Sequence, residues 1–178
     1  MKMTNAVAIF AAVMDTEQFG ARCIGVRMAY KRILVPIDGT PTSNRGLREA
    51  VGFAKAQKAR LQLVHVVDVH NAMLTGLSGG AAVTDIAAAL EERGRRLVEK
   101  AAALVRKSGL ACETVLLESL SGPAAEPIVR QARKWRADLI VIGTHGRRGL
   151  KRLVMGSDAE QIVRNAPAPV LLIRGGLR

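Results

Sequence analysis

Short apolar runs alternate along this chain with longer stretches whose apolar residues recur at helical spacing, a pattern that few folds can satisfy. The runs occupy residues 33–37, 60–67, 112–117, 139–142 and 170–173, and most are apolar at nearly every position. A strand covered on one face alternates apolar with polar residues, so near-continuous runs predict strands buried on both faces of a sheet. After the first run, Leu47, Ala50, Val51 and Ala54 fall at i, i+3, i+4 and i+7, which predicts a helix with one buried stripe beginning near Ser43. Ile86, Leu90, Leu97, Ala101 and Leu104 keep a helical period over 84–107, as do Ile128, Val129, Ala132 and Trp135 further on, and Ile162 and Val163 open a fourth such face. Five strands alternating with four helices predict right-handed βαβ crossovers. The fold class is therefore α/β, a three-layer, doubly wound parallel sheet with helices on both faces.

Prolines set two of the element limits. Pro36 cannot donate to a ladder, so it belongs at the end of the first strand, ahead of the turn Asp38-Gly39-Thr40-Pro41. Pro127 lies too deep for a helix that starts at Pro123, so the regular part of the third helix is expected nearer Ala125. Asp38 then stands at the carboxyl end of a parallel strand, where open sheets bind ligands, although an aspartate at such a place also forms turns.

Chemistry concentrates in residues 138–165, which read as a buried strand, a basic loop and a helix. Glycines stand at 143, 146, 149 and 156, where the backbone can turn sharply or lie against a ligand. Ser157 follows at once, three residues before Glu160, the spacing of a capping box, and predicts a helix starting at Ser157. A helix start offers unpaired N–H groups and the positive end of a dipole, and Arg147, Arg148, Lys151 and Arg152 add charge. The pattern predicts an anion site; the plainer alternative is a tight connection with a solvated basic face.

Gly143-x-x-Gly146, nine further residues and then Gly156-Ser157 resemble the ATP-binding signature of the universal stress protein family, G-x2-G-x9-G-[ST]. The resemblance extends over residues 30–174. It implies an adenine nucleotide alpha hydrolase-like fold with strand order 3-2-1-4-5, so that the tips of the first and fourth strands lie side by side. It also implies ATP as ligand, with Asp38 and the backbone of Val66 at the nucleoside end and Pro36 beside the base or ribose. Gly143, Gly146, Gly156 and Ser157 would cradle the phosphates, with Ile142 and Asp158 flanking them and Thr144 adding a hydroxyl. Mg²⁺ is a candidate companion of the triphosphate, although no pair of carboxylates is visibly arranged for it. The family's homodimers are commonly joined through the last strand, and 170–173 would be an exposed apolar edge if left unpaired.

Binding is easier to read than catalysis. The chain has no G-x4-G-K-[ST] lysine loop, no G-x-G-x-x-G fingerprint and no G-x-S-x-G elbow. His145 lies near the expected phosphates and could position water, whereas His65 sits inside a strand and reads as a core histidine. Where related adenylating enzymes carry a serine- and glycine-rich pyrophosphate loop, this chain reads DGTPTS, so adenylate transfer is not expected. The expected function is a nucleotide-dependent regulator of stress response, read by a protein partner. The alternatives are a slow ATPase and a nonspecific polyanion binder.

The polyanion alternative rests on a net charge of +12, because cations bind any phosphate backbone through counterion release. Aromatic residues make up 3% of the chain, and no RNP motif, zinc finger or helix-turn-helix is present, which argues against sequence-specific nucleic-acid binding. An apolar content of 49% over 178 residues is ample for one core, and no window approaches a membrane span. Cys23 and Cys112 lack metal-like or paired spacing, which suits a reducing cytoplasm. Residues 1–28 make a poor signal peptide and are expected to be a loosely ordered leader or a start-site artefact, with an extra packed helix as the alternative. The domain proper is expected over 29–178, and the glycine-containing stretch 68–83 is expected to be a surface loop that covers the ligand.

Overall fold

Each apolar run forms a strand and each periodic stretch a helix in the computed structural model of the chain, which describes residues 9–11, 30–68, 83–119, 123–144 and 156–174. In order they are β1 (Ile9–Ala11), β2 (Arg32–Pro36), α1 (Pro41–Gln57), β3 (Arg60–Asp68), α2 (Val83–Lys107), β4 (Cys112–Ser119), α3 (Ala125–Trp135), β5 (Leu139–Gly143), α4 (Ser157–Asn165) and β6 (Val170–Ile173). The sheet runs β1-β6-β5-β2-β3-β4. Strands β2 to β6 pair in parallel throughout, and counted alone they have the expected order 3-2-1-4-5.

Continuous apolar runs are explained by two cores, one on each face. Ile33, Val35, Leu61, Leu63, Val141 and Leu171 pack with residues of α1 and α2, while Leu34, Val64, Ile140, Val170 and Leu172 pack with α3 and α4. Successive residues of one strand thus enter opposite layers, as the pleat requires. On α2 the buried stripe comprises Gly94, Val98, Ala101, Ala102 and Val105. Leu104, expected on that stripe, is 48% exposed. Arg95 and Arg96 pair with Glu91 and Glu92 one turn earlier, as suits a solvated face.

Helix limits follow local chemistry. Helix α1 begins two residues before Ser43 because Thr40 caps it: the Thr40 side chain accepts from the Ser43 N–H, and Pro41 occupies the first turn, where a missing N–H costs nothing. Helix α3 begins at Ala125, which leaves Pro127 inside the first turn. Its Trp135 is a packing anchor, 7% exposed, with Nε1 donating to Glu113 Oε2 at 2.8 Å and the Arg32 guanidinium stacked on the ring at 4.9 Å.

The edge of β6 departs from expectation. It is not open: β1 pairs with it antiparallel, with Ile9 opposite Leu172, Phe10 opposite Leu171 and Ala11 opposite Val170. Three leader residues therefore add a sixth strand to the five expected. The rest of residues 1–28, the stretch 69–82 and the loop 145–155 lie outside the described residues.

Candidate functional site

Pro36 helps to open the site. The Asp138 N–H donates to the Arg32 carbonyl at 3.0 Å, so Arg32, Leu34 and Pro36, being alternate residues, direct their backbone groups toward β5. Pairing between β2 and β5 ends at Leu34 opposite Ile140. The next donor in line would be Pro36, which has none, and the two strands part at their carboxyl ends. This is the point where the order of the sheet reverses and a ligand is expected.

Asp38 stands at that point and organises the turn into α1. Its Oδ1 accepts from the Thr40 N–H at 2.9 Å and from the Thr40 hydroxyl at 2.7 Å, while its own N–H donates to Ser43 Oγ at 3.2 Å. Gly39 between them has φ +83°, a conformation that favours glycine. Asp38 is thus a turn-forming aspartate at the switch point. Thr40 and Ser43, which the sequence reading did not assign, hold it there. The Thr-Pro pair ahead of a periodic stretch was the available signal for that cap.

Gly143 is required for packing. A Cβ built on it would lie 2.8 Å from Thr42 Cγ2, 3.2 Å from the Thr42 carbonyl carbon and 3.3 Å from the Ser43 nitrogen. Its absence lets the first turn of α1 press against the end of β5. One residue on, the Thr144 N–H donates to the Ile173 carbonyl and the Thr144 carbonyl accepts from the Gly156 N–H, both at 2.9 Å. The two helix starts, α1 and α4, are thereby fixed on either side of the same strand end. Thr144 itself is buried, 8% exposed.

The capping box expected at Ser157 does not form. Gly156 is the N-cap, in an extended conformation with φ −63°, and among the described residues no side-chain cap bond is made. Ser157 is the first helical residue, and Glu160 pairs with Arg164 at 2.8 Å. Because the first helical bond runs from the Glu160 N–H to the Gly156 carbonyl, the amides of Ser157, Asp158 and Ala159 precede the ladder without a side-chain cap. Helix α1, in contrast, is closed by Thr40 and Pro41. Free backbone donors of the kind an anion would need are therefore to be sought at α4 rather than α1. Asp158 adds a second unusual group: among the described residues its Oδ1 is buried with no hydrogen-bond partner, a costly state that a ligand hydroxyl or a cation would relieve.

Of the other expected residues, Pro36 is buried, Val66 and Ile142 are half-buried, and Ser157 is exposed. Gly146 lies outside the described residues, as do Gly149, His145 and the four loop cations. Among the described residues no group of three or more His, Cys, Asp or Glu side chains is arranged to hold a metal ion. Also among them, no helix is long and apolar enough to cross a membrane. Burial pushes the Cys112 thiol up, Arg106 opposes this and Glu99 reinforces it, so Cys112 is not an activated nucleophile.

The sequence model of the universal stress protein family matches residues 29–174. A universal stress protein of Methanocaldococcus jannaschii is 36% identical over 145 residues, a span covering 82% of each chain. Among solved structures, a protein from the universal stress protein family of Burkholderia pseudomallei is 34% identical with a TM-score of 0.65, covering 82% of this chain and 97% of that one. A universal stress protein from Archaeoglobus fulgidus, solved in complex with dAMP, is 27% identical with a TM-score of 0.57, covering 82% of this chain and 99% of that one.

Proposed function

The chain belongs to the universal stress protein family, and on that footing we propose that it binds ATP at the switch point and acts in the cytoplasm as a nucleotide-dependent regulator of stress response. One observation carries the reading: α4 starts on an uncapped glycine held against the end of β5, beside the Asp38 turn. The phosphates would lie at the amides of Ser157 and Asp158, with Gly146 and Gly156 keeping the approach free of side chains and Gly143 and Ile142 contributing backbone. Asp38 and the Val66 backbone would hold the nucleoside end, next to Pro36. The dAMP bound by the Archaeoglobus fulgidus relative supports an adenine nucleotide as the ligand class.

The chemistry of the site favours binding and retention over turnover. The residues offer donors to an anion, but no lysine loop and no activated nucleophile. Asp158 would lie close to like-charged phosphates, so a cation between them is favourable, and its unpartnered oxygen suits Mg²⁺ or a ligand hydroxyl. A partner protein would then read the ATP-bound surface. A second copy of the chain would join through β6, where it must displace β1 or build on it.

Titration calorimetry of ATP, GTP and AMP into wild type and Gly156→Val at moderate salt tests this. The φ of Gly156 is one that valine adopts readily, so the substitution obstructs ligand approach without straining the backbone. Saturable, adenine-selective binding that is lost in the variant is expected. Equal binding of all polyphosphates by both proteins would overturn the reading in favour of general attraction to the basic surface. Steady phosphate release abolished by Asp38→Asn would instead establish the slow ATPase.

A further inference from the structure

Strands β2 and β3 run in register from Arg32 opposite Arg60 to Pro36 opposite Val64, and the Ile37 N–H donates to the Val64 carbonyl at 2.8 Å. In a regular parallel ladder the next bond would return from the Val66 N–H to the Ile37 carbonyl, because Val64 and Val66 turn their backbone groups to the same side. That bond is not made, and the pairing stops at Pro36. Instead His65 Nδ1 meets the Ile37 carbonyl at 2.7 Å. A carbonyl only accepts, so Nδ1 carries the proton and the imidazole is the donor. His65 is 6% exposed, and α2 backs its ring: a Cβ on Gly94 would lie 3.1 Å from His65 Cδ2.

A side chain thus takes the place of a backbone donor. Among the described residues no bond to the Val66 N–H or C=O crosses toward β2, although both groups point into the gap left where β2 turns away. We propose that His65 is a positioning residue for base recognition: by satisfying the Ile37 carbonyl with its ring, it stops the ladder one step early and keeps the Val66 N–H and C=O available to the edge of a base. An adenine edge offers N1 as acceptor beside the N6 amino donor and can take both groups. Guanine, with its ribose held in the same place, presents the reverse order. This inference rests on the adenine-nucleotide reading of the site. It gives a role to a histidine that is otherwise only a core residue.

Two substitutions test it. His65→Leu keeps the bulk and removes the donor, so the Val66 N–H is expected to close onto the Ile37 carbonyl. His65→Asn retains an N–H near the place of Nδ1. Amide hydrogen exchange is expected to show Val66 exchanging faster than Val64 and Val67 in wild type, slowed in His65→Leu, and fast again in His65→Asn. ATP affinity is expected to fall about tenfold or more in His65→Leu, the scale of one or more lost recognition bonds, and to recover in His65→Asn. Inorganic tripolyphosphate should bind all three proteins alike. A Val66 amide protected in wild type would overturn the proposal without any variant, and so would wild-type ATP selectivity that survives His65→Leu. Wild-type protein that binds ATP no better than tripolyphosphate would overturn the adenine reading itself, and the exchange data would still show whether His65 holds the ladder open.

Discussion

Asp38 and Gly143 show how one residue serves both folding and the site. Asp38 accepts two bonds from Thr40 through one oxygen, so an amide oxygen can replace it in the turn but cannot replace its charge. Asp38→Asn is therefore expected to melt within a few degrees of wild type, while Asp38→Ala loses about 1 kcal/mol by thermal denaturation. At Gly143 the added methyl of alanine would meet backbone atoms of α1, and Gly143→Ala should cost about 1–3 kcal/mol in denaturant unfolding. Gly52 is the control: it lies inside α1 with nothing within 4 Å of a built Cβ, so Gly52→Ala should stabilise by about 0.5–1 kcal/mol. From the sequence, Gly143 was legible as a glycine of the loop signature, where the backbone can turn sharply or lie against a ligand. Its reason was not, because the neighbour that demands it, Thr42, is distant in the chain. His65 was legible as a buried strand histidine, but its acceptor, Ile37, is visible only once β2 and β3 are in register.

At the level of elements, the strands and helices were readable because two-sided burial writes itself into sequence as unbroken apolar runs. The start of α4 was misread in its cap for a physical reason: Ser157 and Glu160 have the spacing of a capping box, yet the box needs the serine outside the helix, and here Gly156 takes that place. A glycine cap contributes less to helix stability than a side-chain cap and leaves the first amides without a bond from the cap residue's own side chain. Gly156→Asp is expected to reverse both effects, raising stability by a few tenths of a kcal/mol and abolishing ATP binding through a carboxylate placed where phosphate should lie. A thermal melt and a calorimetric titration on the same variant check the two halves, and a variant that gains stability while still binding ATP would dissociate the cap from the site.

For the whole molecule, the order of the sheet and the position of the switch point followed from the family resemblance together with the alternation, whereas the pairing of β1 on β6 had no counterpart in it. Ile9–Ala11 is too short to announce itself as a strand, and its partner lies at the other end of the chain. Because β1 occupies the edge that a second copy would use, Phe10→Pro is expected to raise the dimer fraction in sedimentation velocity at fixed protein concentration. An unchanged distribution would place any dimer contact elsewhere. The net charge of +12 belongs to this scale as well: adenine-selective affinity should weaken only modestly between 50 and 200 mM salt, while nonspecific binding to a polyanion should fall by orders of magnitude. An adenine nucleotide held between the Val66 edge and the start of α4 would be seen by titrating ATP into isotopically labelled protein and following the backbone amides. Val66, Ser157 and Asp158 are expected to shift together and saturate with one affinity; shifts confined to the basic faces of α1 and α2, with those three amides unmoved, would rule this binding mode out.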